Sequence, residues 1–246
     1  MTTSFQEVGH AVRMLRRSPG FTAVAILSLA IGIGANSALF SFHDALLWRP
    51  LPVPDPESIV AVTIDSPDDP SPVGRMSYPN YRDLRESTRS FQGLAAHQWS
   101  LVGVALSRTE VRQRRVGLLV SDNLFDVLGV EPALGRRFTP DEGQMRGRDA
   151  VLILGYDFWQ NTLAGAGSIL GKSVVMNGID FTVVGVMPAS VTSVDGYVRP
   201  EFYVPLMMAD RIRGGSVSLF EDRADRSVVV RGRLKVPLVG SHLPLA

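Results

Sequence analysis

The sequence predicts an α+β protein led by a single apolar N-terminal helix, and three observations predict it. Residues 21–42 (FTAVAILSLAIGIGANSALFSF) contain no charged side chain. From Ile59 onward, short apolar runs bounded by turn residues recur at strand length. Between them, Ser77-Tyr78-Pro79 and Ser121-Asp122-Asn123 stand where helices begin, with a capping side chain and, in the first case, a proline for the first turn.

The apolar run comes first. At about 1.5 Å per residue, a helix of that length covers the roughly 30 Å hydrocarbon core of a bilayer. We bound this transmembrane helix at 21–47. Arg13, Arg16 and Arg17 precede it, with Glu7 as the single acid on that side. A basic flank is retained in the cytoplasm, so the N-terminus is expected inside and the chain after Arg49 outside. A cleavable signal peptide is the alternative, with Ala35 and Ala38 near a cut. Against it, h-regions stop at about 7–15 residues, whereas this apolar run continues through Leu39 and Phe40 to Leu46 and Leu47.

Ahead of the span, Phe5, Val8, Val12 and Leu15 recur at helical spacing. Gln6, Glu7, His10 and the arginines take the opposite face. Residues 1–18 therefore read as an amphipathic helix lying among lipid headgroups. Pro19-Gly20 is expected to break it before the span. Within the span Ala30, Gly34 and Ala38 fall four apart on one face. Such a face admits a second helix closely and would support a homodimer; equally, Gly and Ala are ordinary in membrane helices.

Beyond the span, Arg49-Pro-Leu-Pro-Val-Pro-Asp-Pro is a stiff, extended exit. Residues 59–64 read as a strand, 78–87 as a helix capped by Ser77, and 94–106 with 111–120 as two strands. A short helix over 124–128, capped by 121–123, stops at Gly129. Then follow a strand at 151–154, a helix at 157–163, and a hairpin of 173–176 with 179–187 about Asn177-Gly178, a strong hairpin signal. On its second strand Ile179, Phe181, Val183 and Met187 are expected to share one face. Residues 202–206 and 227–231 complete the strands.

Chemistry is hard to find. A net charge of +1 and the absence of a dense basic patch beyond the span argue against nucleic acid. Arg112, Arg114 and Arg115 read as a solvated strand edge. There are no cysteines, so no disulfide or thiolate metal site is available. His10, His43, His97 and His242 are scattered without ligand spacing. Gly32-Ile33-Gly34 lies inside the apolar run and lacks a third glycine, and no GxxxxGK[ST] occurs, so neither a dinucleotide loop nor a Walker site is present. Asp141-Glu142 suits the first turn of a helix. Asp195, Glu201 and Asp222 are the carboxylates that could converge on a cation; a structural role fits them better. Trp99, Trp159 and Tyr203 read as core. No catalytic, cofactor or metal residues are expected, and no enzyme.

Four stretches carry a resemblance. LRRSPGFTAVAILSLAIGIGANSALFSFHDALLWRPLPVPDPESIV (15–60), SYPNYRDLRESTRSFQGLAA (77–96), VSDNLFDVLGVEPALGRRFTPDEG (120–143) and ILGKSVVMNGIDFTVVGVMP (169–188) resemble, in order and spacing, MacB-like ABC-transporter permeases of the duplicated-permease group. GIGAN and RPLP are the distinctive pieces. The resemblance implies a periplasmic core over 52–235 with two lobes. One is α/β with βαβ units (about 52–130 and 224–235), and the other is a strand-rich insertion (about 131–223). It implies an inner-membrane permease subunit, lipid around its span, a cytoplasmic ABC ATPase as partner, and an outer domain coupled to ATP-driven, export-type motion. A single-span periplasmic adaptor or sensor binding a partner protein is the alternative.

One departure stands out. After Gly232-Arg233-Leu234-Lys235 the family continues with Pro-Gly-Val and a helix, whereas 236–246 read VPLVGSHLPLA. We expect a truncated or frameshifted product, unable to transport alone. The adjoining coding DNA, read in its other frames, is expected to restore Pro-Gly-Val and a helical segment; a reading without them counts against frameshift.

Overall fold

The first helix, α1 (Pro19–Leu47), begins earlier than the sequence predicts. Pro19 and Gly20 open its first turn, and Thr22 N–H donates to Ser18 O at 3.0 Å; the break expected there from a preceding helix involves residues 1–17, which lie outside the described residues. The reason is positional: a proline at the start of a helix has no hydrogen bond to lose. Phe21, Leu27, Ile33 and Phe40 are 63–74% exposed, so the Pro19–Ser41 part of α1 presents apolar side chains on every side, the pattern of a helix meant for a nonpolar surround. Its stretch Pro19–Ser41 is long and apolar enough to cross a membrane. The computed structural model describes residues 18–47, 53–64, 74–191, 193–195, 198–214 and 219–235. The amphipathic stretch with Arg13, Arg16 and Arg17 lies outside them, as does 236–246. The chain divides into two units, Met1–Pro50 and Leu51–Ala246.

In the second unit the elements run β1 (Ile59–Val62), α2 (Tyr78–Ser87), β2 (Phe91–Ala105), β3 (Gln113–Val120), α3 (Leu124–Leu128), β4 (Leu134–Gly135), β5 (Val151–Leu154), α4 (Tyr156–Thr162), β6 (Ser173–Met176), β7 (Ile179–Val186), β8 (Phe202–Pro205), α5 (Ala209–Arg213) and β9 (Val229–Leu234). Local chemistry explains several boundaries. Ser77 Oγ accepts from Asn80 N–H at 3.3 Å at the start of α2. Gly129 ends α3 in the left-handed region at φ 67°, which costs glycine nothing. Asn123 does not cap α3 as expected. Its Oδ1 accepts from Ser121 Oγ and its Nδ2 donates to Leu94 O, so the side chain is committed to β2 instead.

The nine strands among the described residues join one hydrogen-bonded sheet. Following the pairs β2–β3, β3–β8, β8–β5, β5–β7, β7–β6 and β6–β2 returns to the start. The strands of this circuit form a closed, mixed barrel. The first half of β2 instead pairs with β9, which pairs with β1. Closure removes the unpaired edges that a flat sheet would leave.

Two cores follow from strand alternation. Val102, Val104, Leu119, Leu152, Leu154, Val174, Met176, Phe181, Val183, Phe202 and Val204 form the barrel interior, and the same core continues to Tyr81 of α2 and Val230 of β9. Leu118, Val120, Ile153 and Tyr203 point the other way, into a second core with Phe125, Val127 and Leu128 of α3 and with Val191 and Val194. Strands β5 and β8 are thus covered on both faces. The hairpin residue Asn177 has φ 48° and Gly178 φ 88°, as a two-residue turn demands.

The expected face of β7 needs correction. Phe181 and Val183 share the first core, but Met187 lies in the second. Leu152 pairs with Val183 while Ile153 pairs with Gly185, so one extra residue bulges at Val184. A bulge inverts the alternation beyond it, sending Val186 inward and Met187 outward.

Barrel packing is tight where Phe202 lies on Gly117. A Cβ at Gly117 would stand 2.4 Å from the ring. Gly117→Ala should lower stability by about 1–3 kcal/mol, the usual cost of overpacking. Reversible denaturant unfolding checks this, and an unchanged midpoint would mean that the ring moves aside freely.

Candidate functional site

Where the two sets of strands meet, the second core contains a cluster of polar side chains. His97 and Trp99 are two apart on β2 and therefore point to the same side of the sheet. Ala95 of β2 is the register partner of Arg231 on β9, which brings the guanidinium to that side. Asp195 arrives from the connection after β7. The His97 ring is fully buried and the Asp195 side chain is 3% exposed.

The carboxylate is saturated with donors. His97 Nε2 lies 2.9 Å from Oδ1 and 3.0 Å from Oδ2. Trp99 Nε1–H donates to Oδ2 at 2.8 Å, and Arg231 Nη2–H donates to Oδ1 at 2.9 Å. An ionised carboxylate only accepts, so His97 carries its proton on Nε2 in this contact. Burial by itself would push the Asp195 carboxyl up. The hydrogen bonds and charges of His97 and Arg231 outweigh it and hold Asp195 well below the usual carboxylate range. Among the described residues, His97 Nδ1 and Arg231 Nε have no hydrogen-bond partner.

Arg233, two residues further along β9, extends the network. Its Nε–H donates to Val127 O at 2.7 Å, Nη1–H to Ser58 Oγ at 2.6 Å and Nη2–H to Pro54 O at 3.1 Å. One arginine thus satisfies a carbonyl near the end of α3 and pins the segment leading into β1. Together Arg231 and Arg233 make β9 the strand to which the exit segment, α3 and the Asp195 connection are all fastened.

Arranged this way, the cluster positions and fastens. The carboxylate is occupied by donors, and the histidine is sealed from solvent. Among the described residues no group of three or more His, Asp or Glu side chains could hold a metal. The three carboxylates considered for a cation are separated. Glu201 accepts from Arg115 Nη1–H at 2.8 Å, and Asp222 Oδ1 accepts from Ala224 N–H at 2.8 Å. Arg115 therefore turns inward, its guanidinium 5.3 Å from the centre of the Phe158 ring, while Arg112 and Arg114 stay exposed. Asp141 and Glu142 sit in a short 3-10 turn, Pro140–Gly143. There Glu142 accepts from Thr139 N–H at 2.8 Å and pairs with Arg136 at 2.7 Å. Tyr203 is core as expected, at 1% exposure. Trp159 donates to Ala166 O at 3.1 Å. Ala30, Gly34 and Ala38 all lie in α1 and are exposed.

The sequence reading passed over His97 and Arg231 and assigned Trp99 to the core. A faint signal existed: His97 directly follows the apolar run Leu94–Ala96, and Arg231 directly follows Val228–Val230. Neither position announces its partner, Asp195, which is 98 residues from His97 and 36 from Arg231.

The geometry can be set beside known proteins. The family model described as MacB-like periplasmic core domain matches residues 22–234. No curated protein sequence matches the chain. The periplasmic region of MacB from Actinobacillus actinomycetemcomitans superposes with a TM-score of 0.55 at 15% identity, over 77% of this chain and 79% of that one; it shares the fold. The extracellular domain of the noncanonic ABC-type transporter YknZ from Gram-positive bacteria gives 0.49 at 17% identity, covering 72% and 82%. A domain of a putative permease protein from Porphyromonas gingivalis gives 0.48 at 15%, covering 68% and 71%.

Asp195→Asn should cost about 3–5 kcal/mol at pH 7, because it leaves two buried partners uncompensated. A carboxylate whose folded pKa is depressed stabilises fully above its unfolded value of about 3.9 and loses that contribution as pH falls further. The stability gap between wild type and Asp195→Asn should therefore shrink as pH falls below about 4. Urea midpoints measured from about pH 5 downwards check it; a gap that does not shrink there would contradict an ionised Asp195.

Proposed function

The chain belongs to the MacB-like periplasmic core domain family, and on that premise we propose that it is the N-terminal part of an ABC-transporter permease subunit. In this reading α1 anchors it in the inner membrane with the N-terminus cytoplasmic. The domain beyond residue 52 stands in the periplasm and couples to ATP-driven, export-type motion. The single observation carrying the proposal is that one family match runs without interruption from within α1 to the end of β9. A lone apolar helix is ambiguous; an apolar helix continuous with a permease periplasmic core is far less so. The family is one of transporter components, and the role proposed here is mechanical and non-enzymatic.

Several features support the finer points. Arg13, Arg16 and Arg17 before an uncharged span favour a cytoplasmic N-terminus. The cytoplasmic partner implied by the family resemblance is an ABC ATPase, with lipid around α1. Within the periplasmic part we retain the division into an α/β lobe over about 52–130 and 224–235 and an insertion over about 131–223. The barrel strands of the insertion are hydrogen-bonded to β3 and to the far end of β2, a connection suited to passing displacement between lobes.

A second reading rests on Ala30, Gly34 and Ala38. If they form a helix-pairing face, the chain is a homodimeric single-span adaptor or sensor. Affinity purification from membranes separates the two. Recovery of a cytoplasmic ATPase supports the permease subunit, whereas a homodimer without it, lost in Gly34→Leu, supports the adaptor.

Orientation can be read directly, because the chain contains no cysteine. With Thr3→Cys and Ser87→Cys made separately, a membrane-impermeant maleimide applied to spheroplasts should modify position 87 at once. Position 3 should react only after permeabilisation. The reverse pattern would overturn the proposed topology.

A further inference from the structure

The turn of the β6–β7 hairpin also sits at the seam where the barrel closes. Strand β6 meets the end of β2 with Val104 opposite Met176 and Ala105 opposite Val175. Asn177 continues that seam. Its backbone N–H donates to Gly103 O at 2.9 Å, and its side-chain Oδ1 accepts from Gly103 N–H at 2.9 Å. Its Nδ2 donates to Ile212 O of α5 at 3.0 Å. One side-chain amide thus ties the hairpin both to β2 and to α5. A Cβ at Gly103 would stand 3.3 Å from that Oδ1, so the glycine leaves the amide its place.

The same Asn-Gly pair has a covalent chemistry. Gly178 has no side chain to hinder approach of its backbone nitrogen to the Asn177 Cγ. When Gly178 N bonds to Cγ, a cyclic imide forms and the Cγ–Nδ2 bond breaks. Nδ2 leaves as ammonia, carrying the proton given up by Gly178 N. Water then opens the imide. Cleavage between Gly178 N and Cγ leaves aspartate at 177. Cleavage between Gly178 N and the main-chain carbonyl carbon leaves isoaspartate, with the chain running through Cγ. In sum, an amide and water become a carboxylic acid and ammonia. Asn177 is exposed, so water reaches it. In the folded chain both ends of its amide are bonded to other elements, and they must let go before Cγ can turn onto Gly178 N.

We propose that Asn177 is a deamidation site gated by the barrel seam. The closed hairpin holds the amide unreactive, and each local release from Gly103 and Ile212 opens it to attack by Gly178 N. Conversion then keeps the seam from closing as before. A carboxylate at 177 has no N–H for Ile212 O and sets two acceptors against each other. Isoaspartate lengthens the backbone of a two-residue turn and disturbs the register that such a turn fixes. The proposal concerns the barrel and does not rest on the transporter reading.

The full chain in detergent micelles tests it. Trypsin releases residues 173–211, because the Arg199-Pro200 bond resists cleavage, and this peptide contains Asn177 as its single Asn and no Gln. Its gain in mass on ageing at mildly alkaline pH therefore reads deamidation at 177. The gain should be at least about tenfold slower in native protein than in urea. Gly103→Val, which crowds Asn177 Oδ1, should speed the native reaction by about threefold or more, whereas Gly117→Ala, which crowds Phe202 instead, should leave it unchanged. Asn177→Asp carries the direct product and should unfold at a lower urea concentration than wild type. No gain in urea would overturn the site. Equal rates in native protein and urea, or no acceleration by Gly103→Val, would overturn the gate, and the first comparison stands even if that variant does not fold. Equal acceleration by Gly103→Val and Gly117→Ala would show that opening is global and overturn a local gate. An unchanged urea midpoint for Asn177→Asp would overturn the effect on the seam.

Discussion

Strand β2 serves two sets of neighbours, and the periplasmic unit is organised around that fact. Its 15 residues are far longer than an ordinary strand. The first half lies against β9, and β3 covers it from His97 to Val104. Its last residues reach β6 and complete the barrel. A shorter strand would leave either the β1–β9 pair or the barrel with an open edge. Because residues two apart share a face, one continuous strand also delivers Ala95, His97 and Trp99 to the same side.

That side is where an otherwise apolar core admits charge. Burying His97, Asp195 and Arg231 together is expensive in desolvation, and apolar replacements of similar volume are often as stable. What apolar residues cannot provide is direction. Three donors on one carboxylate specify where Asp195 sits, and hence where the connection crosses the sheet. Arg233 does the same for the exit segment, through carbonyls of Pro54 and Val127.

Much of this was legible beforehand because it is local. Tyr78–Ser87 was readable from Ser77 and Pro79, and the β6–β7 hairpin from Asn177-Gly178, since each depends on backbone preferences within a few residues. The strands Val151–Leu154 and Ser173–Met176 were equally visible as apolar runs. Errors arose where a distant group intervened. Asn123 looked like a cap but is spent on Leu94. Met187 looked inward-facing until pairing with β5 placed a bulge before it.

By itself the sequence determined that the chain has one apolar helix fit to span a bilayer, that α+β structure follows it, and which family it resembles. Those properties are carried by composition, by periodicity and by ordered motifs along the chain. Only the tertiary structure decided that the strands close into a barrel, that two cores lie on its two sides, and that Asp195 meets His97, Trp99 and Arg231. Barrel closure depends on pairings between strands far apart in sequence. The polar cluster depends on a register that brings Ala95 opposite Arg231. Neither leaves a periodic trace in the residues concerned, because the alternation of a strand states which side a residue faces and not what it will find there.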